Sequence, residues 1–142
     1  MIKSLFQYKE DYRKSVENPV EFWSEYSKSF LWKKEPSNIL SWNFEDPDVK
    51  WFFDGKLNIT ENIFERNKKN ENDTAIIWEP NEPNDKNIEL SYSQLFEEVC
   101  SFSNVLKSLG VKKGDRVIIY LPMIPEAAIS MLACARIGAV HS

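Results

Sequence analysis

From Val117 to Ser142 the chain reads as strand, helix, strand, and this order constrains the fold more than any other feature. Val117-Ile118-Ile119-Tyr120-Leu121 is an unbroken apolar run. Pro125 suits the first position of a helix. Ile129, Leu132, Ala133, Arg136 and Ile137 then recur on one helical face, and Gly138 stands where a helix ends. Ala139 and Val140 open a second strand. Two strands joined through a helix run parallel. Parallel strands sit in sheets covered on both faces, which is why they read as continuous apolar runs. One parallel pair cannot build such a sheet, so this βαβ unit is expected to be the front of a larger α/β domain that continues past Ser142.

The preceding stretch fits that expectation. Thr74-Ala75-Ile76-Ile77-Trp78 reads as a strand and Ile88–Ser91 as its hairpin partner, with the polar run between them as the loop. Ser91-Tyr92-Ser93-Gln94 is a capping box. Behind it Leu95, Val99, Phe102, Leu106 and Leu109 keep one face apolar for four turns, and Gly110 takes the position after the helix. Lys112-Lys113-Gly114-Asp115-Arg116 is a turn. It is not a phosphate loop, which needs several glycines leading into a helix N-terminus, whereas a single glycine here leads into a strand.

The first half is different in character. Asn18-Pro19-Val20-Glu21 starts a helix expected to reach about Phe30, with Phe22, Tyr26 and Phe30 on one face. The stretch from Leu31 to Asn58 reads as irregular, broken by Pro36 and Pro47 and crowded with Trp32, Trp42, Trp51, Phe52 and Phe53. Each buried Trp or Phe removes about 150–250 Å² from water, and little of this segment can supply the partner surface. Docking onto a larger domain explains the aromatics; a cofactor-stacking aromatic box is the alternative. Asn58-Ile59-Thr60-Glu61 starts another helix, to about Lys68, and a charged exit follows it.

Charge and residue usage exclude several functions. The net charge of −4 and pI near 5.1 argue against a nucleic-acid surface and against a polybasic membrane anchor. No run of residues is long and apolar enough for a membrane span or a secretory signal. The two cysteines, Cys100 and Cys134, lie in apolar helical patterns and read as reduced core thiols. His141 is the single histidine, so neither a histidine-based metal site nor a Ser-His-Asp triad can be assembled. The sequons at Asn58 and Asn72 read as coincidence without a signal peptide. A cytoplasmic protein is expected.

Four stretches together resemble a known family: NPVEFWSEYSKSFLW, WFFDGKLN, SYSQLFEEV and, above all, GVKKGDRVIIYLPMIPEAAISMLACARIGAVHS. They are similar to the N-terminal part of the AMP-forming acetate–CoA ligases, the acetyl-coenzyme A synthetases of the adenylate-forming superfamily. The resemblance runs from about Tyr8 to Ser142. The AVHS ending differs from the Trp-Ser that acetoacetate-activating relatives tend to carry, while propionate-activating relatives share most of the pattern. Where the family commonly has Asp-Arg-His, this chain has Glu65-Arg66-Asn67.

The resemblance implies an α/β architecture. Residues 1–70 would be a helical and irregular segment wrapping the large domain. Residues 71–142 would be the truncated start of the AMP-binding domain, with its strand hairpin, long helix and first βαβ unit. It also implies a reaction: acetate attacks the α-phosphate of ATP with Mg²⁺ present, and the thiol of CoA then takes the acetyl group from the adenylate. Family members bring a Ser/Thr/Gly-rich loop with a lysine, later acidic and arginine residues and a C-terminal lysine to this chemistry, and the 142 residues contain none of these.

The expectation is therefore no catalytic, cofactor-binding or metal-binding residue, no ligand bound by this piece alone, and the remainder of the same enzyme as its partner. Asp115 and Arg116 are expected in turn and surface ion-pair contacts, and Glu126 and Arg136 in helix-end electrostatics. His141 and Ser142 lead toward the CoA-facing region of the family and receive no role. A propionate–CoA ligase fragment and a short interaction module derived from such an enzyme are the competing readings.

Overall fold

The structure is a computed structural model and describes residues 2–82 and 84–142. The chain divides into two units between Leu57 and Asn58.

In the first unit, helices α1 (Leu5–Glu17) and α2 (Pro19–Ser27) are followed by four short strands, β1 (Trp32–Lys34), β2 (Leu40–Asn43), β3 (Asp48–Trp51) and β4 (Lys56–Leu57). No sequence expectation covered α1, although its start was legible. The hydroxyl of Ser4 accepts from the amide of Gln7 at 3.1 Å, and the Gln7 side chain accepts from the amide of Lys3 at 3.0 Å. Ser4-x-x-Gln7 repeats the pattern of Ser91-x-x-Gln94. Helix α2 ends at Ser27, earlier than expected, where the indole of Trp32 donates to the Ser27 carbonyl at 2.8 Å. Asn18 makes no side-chain cap; it joins the two helices through its backbone, donating to Lys14 and accepting from Phe22.

The aromatic stretch is not irregular. β2 and β3 pair antiparallel from Leu40↔Trp51 to Asn43↔Asp48, and β1 pairs antiparallel with β4. Pro47 lies in the β2–β3 turn and Pro36 lies between strands, so the prolines punctuate the strands and leave the ladders intact. Asn43 helps to form the turn by accepting from the amide of Glu45 at 2.9 Å. Phe52 takes a positive φ of 48°, a strained backbone for a bulky side chain. The rings of Trp32 and Trp51 lie 5.9 and 6.0 Å from its own, and its carbonyl accepts from Gly55 at 2.9 Å.

None of residues 2–57 is buried. Their rings pair with one another instead, Phe22 with Tyr26 at 4.8 Å and Trp42 with Phe44 at 4.8 Å, and Phe44 is still 79% exposed. The unit is organised by local pairs and by one polar hub. The carboxylate of Asp54 accepts from the Ser37 hydroxyl at 2.7 Å, the Ser37 amide at 2.9 Å and Lys34 Nζ at 3.3 Å. The Ser37 hydroxyl bond, with the neighbouring amide and ammonium donors, holds this carboxyl far below the usual aspartate range. A depressed folded-state pKa contributes stability above the unfolded value, near about 4, and the contribution disappears as pH falls through the folded value. We expect the β1–β4 pair to loosen on acidification below about pH 4. Asp54→Asn should remove that acid-dependent step from a fluorescence titration of the tryptophans. An unchanged titration in the variant would refute the role of Asp54.

The second unit holds helix α3 (Ile59–Arg66), a 3₁₀ turn at Lys68–Asn70, strands β5 (Thr74–Trp78) and β6 (Ile88–Ser91), helix α4 (Tyr92–Ser108), strand β7 (Arg116–Val117), helix α5 (Pro125–Ile137) and strand β8 (Val140–His141). Helix α3 packs against α4 and α5. β5 and β6 form the expected antiparallel hairpin. α4 begins in a complete capping box, Gln94 N–H to Ser91 Oγ at 3.2 Å and Ser91 N–H to Gln94 Oε1 at 2.9 Å. α5 starts on Pro125 and stops at Gly138, whose φ of 78° excludes other residues without strain. At the end of α3, Asn67 donates from its side chain to the Ile63 carbonyl at 2.7 Å. Asn67 thus satisfies a helix-end acceptor.

The core of this unit contains Phe64 of α3, Leu95, Val99 and Leu106 of α4, and Ile129, Ala133 and Cys134 of α5, with Ala139 beyond. Leu109, expected on the same apolar face, is 75% exposed because α4 ends there and the chain turns away at Gly110. Cys134 is fully buried, and burial pushes its thiol pKa up; Cys100 is half-buried.

β7 and β8 are parallel, as the βαβ reading requires. The ladder runs on through Gly114 N–H to Gly138 O, Val140 N–H to Asp115 O, Ser142 N–H to Val117 O and Ile119 N–H to Ser142 O. The expected buried strand Val117–Leu121 is only partly realised. Beyond Val117 it leaves regular strand geometry, with Ile118 85% and Tyr120 99% exposed. An apolar run becomes a central strand only when neighbouring strands and helices cover it, and these residues have no such cover here.

Candidate functional site

In open α/β sheets ligands bind outside the carboxyl ends of the parallel strands. In this chain that region holds Tyr120, Leu121 and Met123 after β7, and His141 and Ser142 at the end of β8, all exposed. The carbonyl of Met123 accepts from the indole of Trp78 at 2.7 Å, which ties the loop after β7 to the hairpin. The region offers aromatic and apolar surface, the imidazole of His141 and the hydroxyls of Tyr120 and Ser142. Among the described residues no three His, Cys, Asp or Glu side chains are grouped to hold a metal ion.

The turn before β7 does not fit a nucleotide phosphate. Three of its amides are already used: Gly114 donates to Gly138 and Asp115 to Lys112 through the backbone, and the Lys112 amide donates to Asp115 Oδ2 at 2.7 Å. A phosphate cradle needs free, convergent N–H groups. The turn itself therefore offers no phosphate cradle, and no chemical step is assigned to it. Asp115 takes the turn contact expected of it, but neither Asp115 nor Arg116 forms an ion pair among the described residues. Glu126 and Arg136 lie in the first and last turns of α5, on the sides that complement the helix dipole.

At the other end of the unit, the last turns of α4 and α5 and the start of α3 border a cleft of ≈750 Å³. Lys107 and Asn104 come from α4, Lys112 and Lys113 from the turn, Arg136 from α5 and Glu61 from α3, with Cys100 and Ser103 in the wall. The guanidinium of Arg136 lies over the ring of Phe96, 4.9 Å from its centroid. Side chains of distant origin tie the surrounding helix ends together. Asn58 accepts from the amide of Thr60 at 2.9 Å, capping α3, and donates to the carbonyls of Ala135 and Arg136 at 3.2 and 3.1 Å. Ser103 donates to Ala133 O at 3.4 Å. Sequence reasoning missed this grouping. Lys112-Lys113 was visible as a pair, but nothing local connects it to Lys107 and Arg136.

The paired units, the βαβ ladder and the aromatic first half are those of an adenylate-forming enzyme, and residues 63–142 match the family model described as AMP-binding enzyme. The chain belongs to the AMP-binding enzyme family. Its residues 8–63 match the model described as acetyl-coenzyme A synthetase N-terminus. It is 52% identical over 138 residues to the acetyl-coenzyme A synthetase of Desulfatibacillum aliphaticivorans. The corresponding figures are 51% over 140 residues for that of Yersinia pestis and 46% over 139 for that of Novosphingobium aromaticivorans. Each match covers 96% of this chain and 21% of the relative, so the chain spans about a fifth of the length of these relatives. The solved acetoacetyl-CoA synthetase from Streptomyces lividans superimposes with a TM-score of 0.80 at 26% identity, over 92% of this chain and 20% of that one. Among the described residues no helix is long and apolar enough to cross a membrane.

Proposed function

We propose that this chain is the N-terminal part of an AMP-forming acetate–CoA ligase of the cytoplasm. The whole enzyme would join acetate to ATP, with Mg²⁺ present, as acetyl-adenylate and pyrophosphate, and then pass the acetyl group to CoA with release of AMP. One observation carries the reading: a segment of the acetyl-coenzyme A synthetase N-terminus type runs directly into an AMP-binding segment in one chain. The relatives in the three organisms above are named acetyl-coenzyme A synthetases, which favours acetate over propionate as the acid.

The role of these residues in that enzyme is structural. The second unit supplies the first parallel strand pair, onto which further strands would add beside Ile118 and Tyr120. The first unit, which buries none of its residues 2–57, would lay its aromatic face on the remainder of the enzyme. The same unfinished apolar edge weighs against a free-standing interaction module, because exposed strand edges promote aggregation.

A chimera tests the proposal. These 142 residues replace the matched fifth of the Desulfatibacillum aliphaticivorans relative. The expected result is acetate-dependent exchange between ATP and labelled pyrophosphate and formation of acetyl-CoA, with propionate a poorer acid. The 142-residue chain alone should show neither reaction. Exchange by the isolated chain, or a folded chimera without acetate-dependent exchange, would sink the proposal.

A further inference from the structure

We infer that the cleft between the ends of α4 and α5 is a binding site for a small anion carrying several phosphate groups. Four cations border it, Lys107, Lys112, Lys113 and Arg136, against the single carboxylate of Glu61. The chain as a whole carries −4, so this local excess runs against its overall charge. Four other cations pair with neighbouring acids, Arg13 with Glu10, Lys28 with Glu25, Lys34 with Asp54 and Lys50 with Asp48, while single cations such as Lys9, Lys14 and Arg116 form no ion pair among the described residues; what sets the cleft apart is that four cations share one concavity. None of the four cleft cations forms an ion pair among the described residues.

Helix capping does not account for them. Cations often collect at helix C-termini to satisfy the last carbonyls. Here most of those carbonyls already have donors. On α4, Val105, Leu106 and Lys107 accept from the amides of Leu109, Val111 and Gly110. On α5, Ala133 accepts from Ser103, Cys134 from the Ala139 amide, and Ala135 and Arg136 from Asn58. Arg136 and Lys107 complement the dipoles of α5 and α4, but no hydrogen bond to those carbonyls holds the four charged groups, which border the cleft together.

Two of the four are also held in place. The Phe96 ring supports the Arg136 guanidinium, and the stem of Lys113 lies so close to Gly138 that a Cβ there would stand 3.0 Å from its Cγ. Cations fixed around a concavity focus their field into it. Arginine beside lysines suits phosphate oxygens, the first by its planar fork of donors and the others as mobile point charges. The ≈750 Å³ volume fits a small ligand. A singly charged anion such as acetate would leave most of the positive charge unmatched. The amides of Lys112, Gly114 and Asp115 take no part, being bonded internally.

The test uses the ¹⁵N-labelled chain and inorganic tripolyphosphate, with amide resonances followed by NMR at constant ionic strength. Saturable shifts confined to residues 100–113 and 136–137 are expected. Lys107→Gln with Lys113→Gln should weaken binding about tenfold, as the loss of two modest ion-pair contacts implies. Lys9→Gln with Lys14→Gln, on α1, should leave it unchanged. If the cleft pair disturbs the spectrum beyond the cleft, Lys112→Gln alone, in the exposed turn, serves with a smaller expected loss. Shifts spread equally over the lysines of α1 and the cleft would overturn the inference. So would the absence of saturation, or displacement of tripolyphosphate by an acidic peptide at lower concentration. No acetate, ATP or CoA enters the experiment, so its outcome is independent of the ligase reading.

Discussion

Leu95→Ala is expected to lower the unfolding free energy of the second unit by about 2–5 kcal/mol, the range for removing a leucine from a packed core. Leu95 is 4% exposed and shares the α4 face that carries Val99 and Leu106 into the cluster with Phe64, Ile129 and Cys134. The truncation removes both the transfer free energy of the lost carbons and the contacts around the void. Leu109→Ala is the matched control. It lies on the same helical spacing but is 75% exposed, so its change should stay within about 0.5 kcal/mol. Urea unfolding followed by circular dichroism measures both. Equal losses in the two variants would show that the core is not where the structure places it.

Asn58→Ala should cost about 2–3 kcal/mol, far more than a surface asparagine. Its oxygen accepts from the Thr60 amide at 2.9 Å and from the Thr60 hydroxyl at 2.7 Å, so the substitution removes the α3 cap, worth about 1 kcal/mol. Its amide nitrogen donates to Ala135 O and Arg136 O, and those helix-end carbonyls lose a donor in a part-buried place. Asn58→Asp separates the two effects. It keeps the cap but turns a donor into a carboxylate facing two carbonyls, and it should also destabilise. Asn18→Ala should change little, since the Asn18 side chain caps nothing. A stable Asn58→Asp variant would mean that the link from α3 to α5 carries no energy.

Both pairs of residues mark the limit of what a sequence can show. Leu95 and Leu109 look alike in periodicity, and Asn18 and Asn58 look alike as caps, each followed three residues later by a glutamate. The difference lies in what stands opposite. Leu95 faces the cluster that includes α5, while Leu109 points past the end of it. Asn58 meets the end of α5, 77 residues on, whereas Asn18 is spent on a helix–helix junction. The strands around Trp42 and Trp51 were missed for a related reason. Short strands with exposed faces lack alternation, and prolines hid ladders that only pairing reveals.

The sequence by itself determined the capping box of α4, the stops at Gly110 and Gly138, the β5–β6 hairpin and the parallel βαβ unit with its family membership. These depend on contacts within a few residues or on an element order that admits one pairing. The tertiary structure alone decided which apolar positions are buried and how far Val117–Leu121 becomes a strand. It alone carried the Asn58 side chain to α5 and brought Lys107, Lys112, Lys113 and Arg136 around one cleft. Those outcomes depend on groups distant in the chain, whose meeting is set by packing and leaves no periodic trace in the sequence.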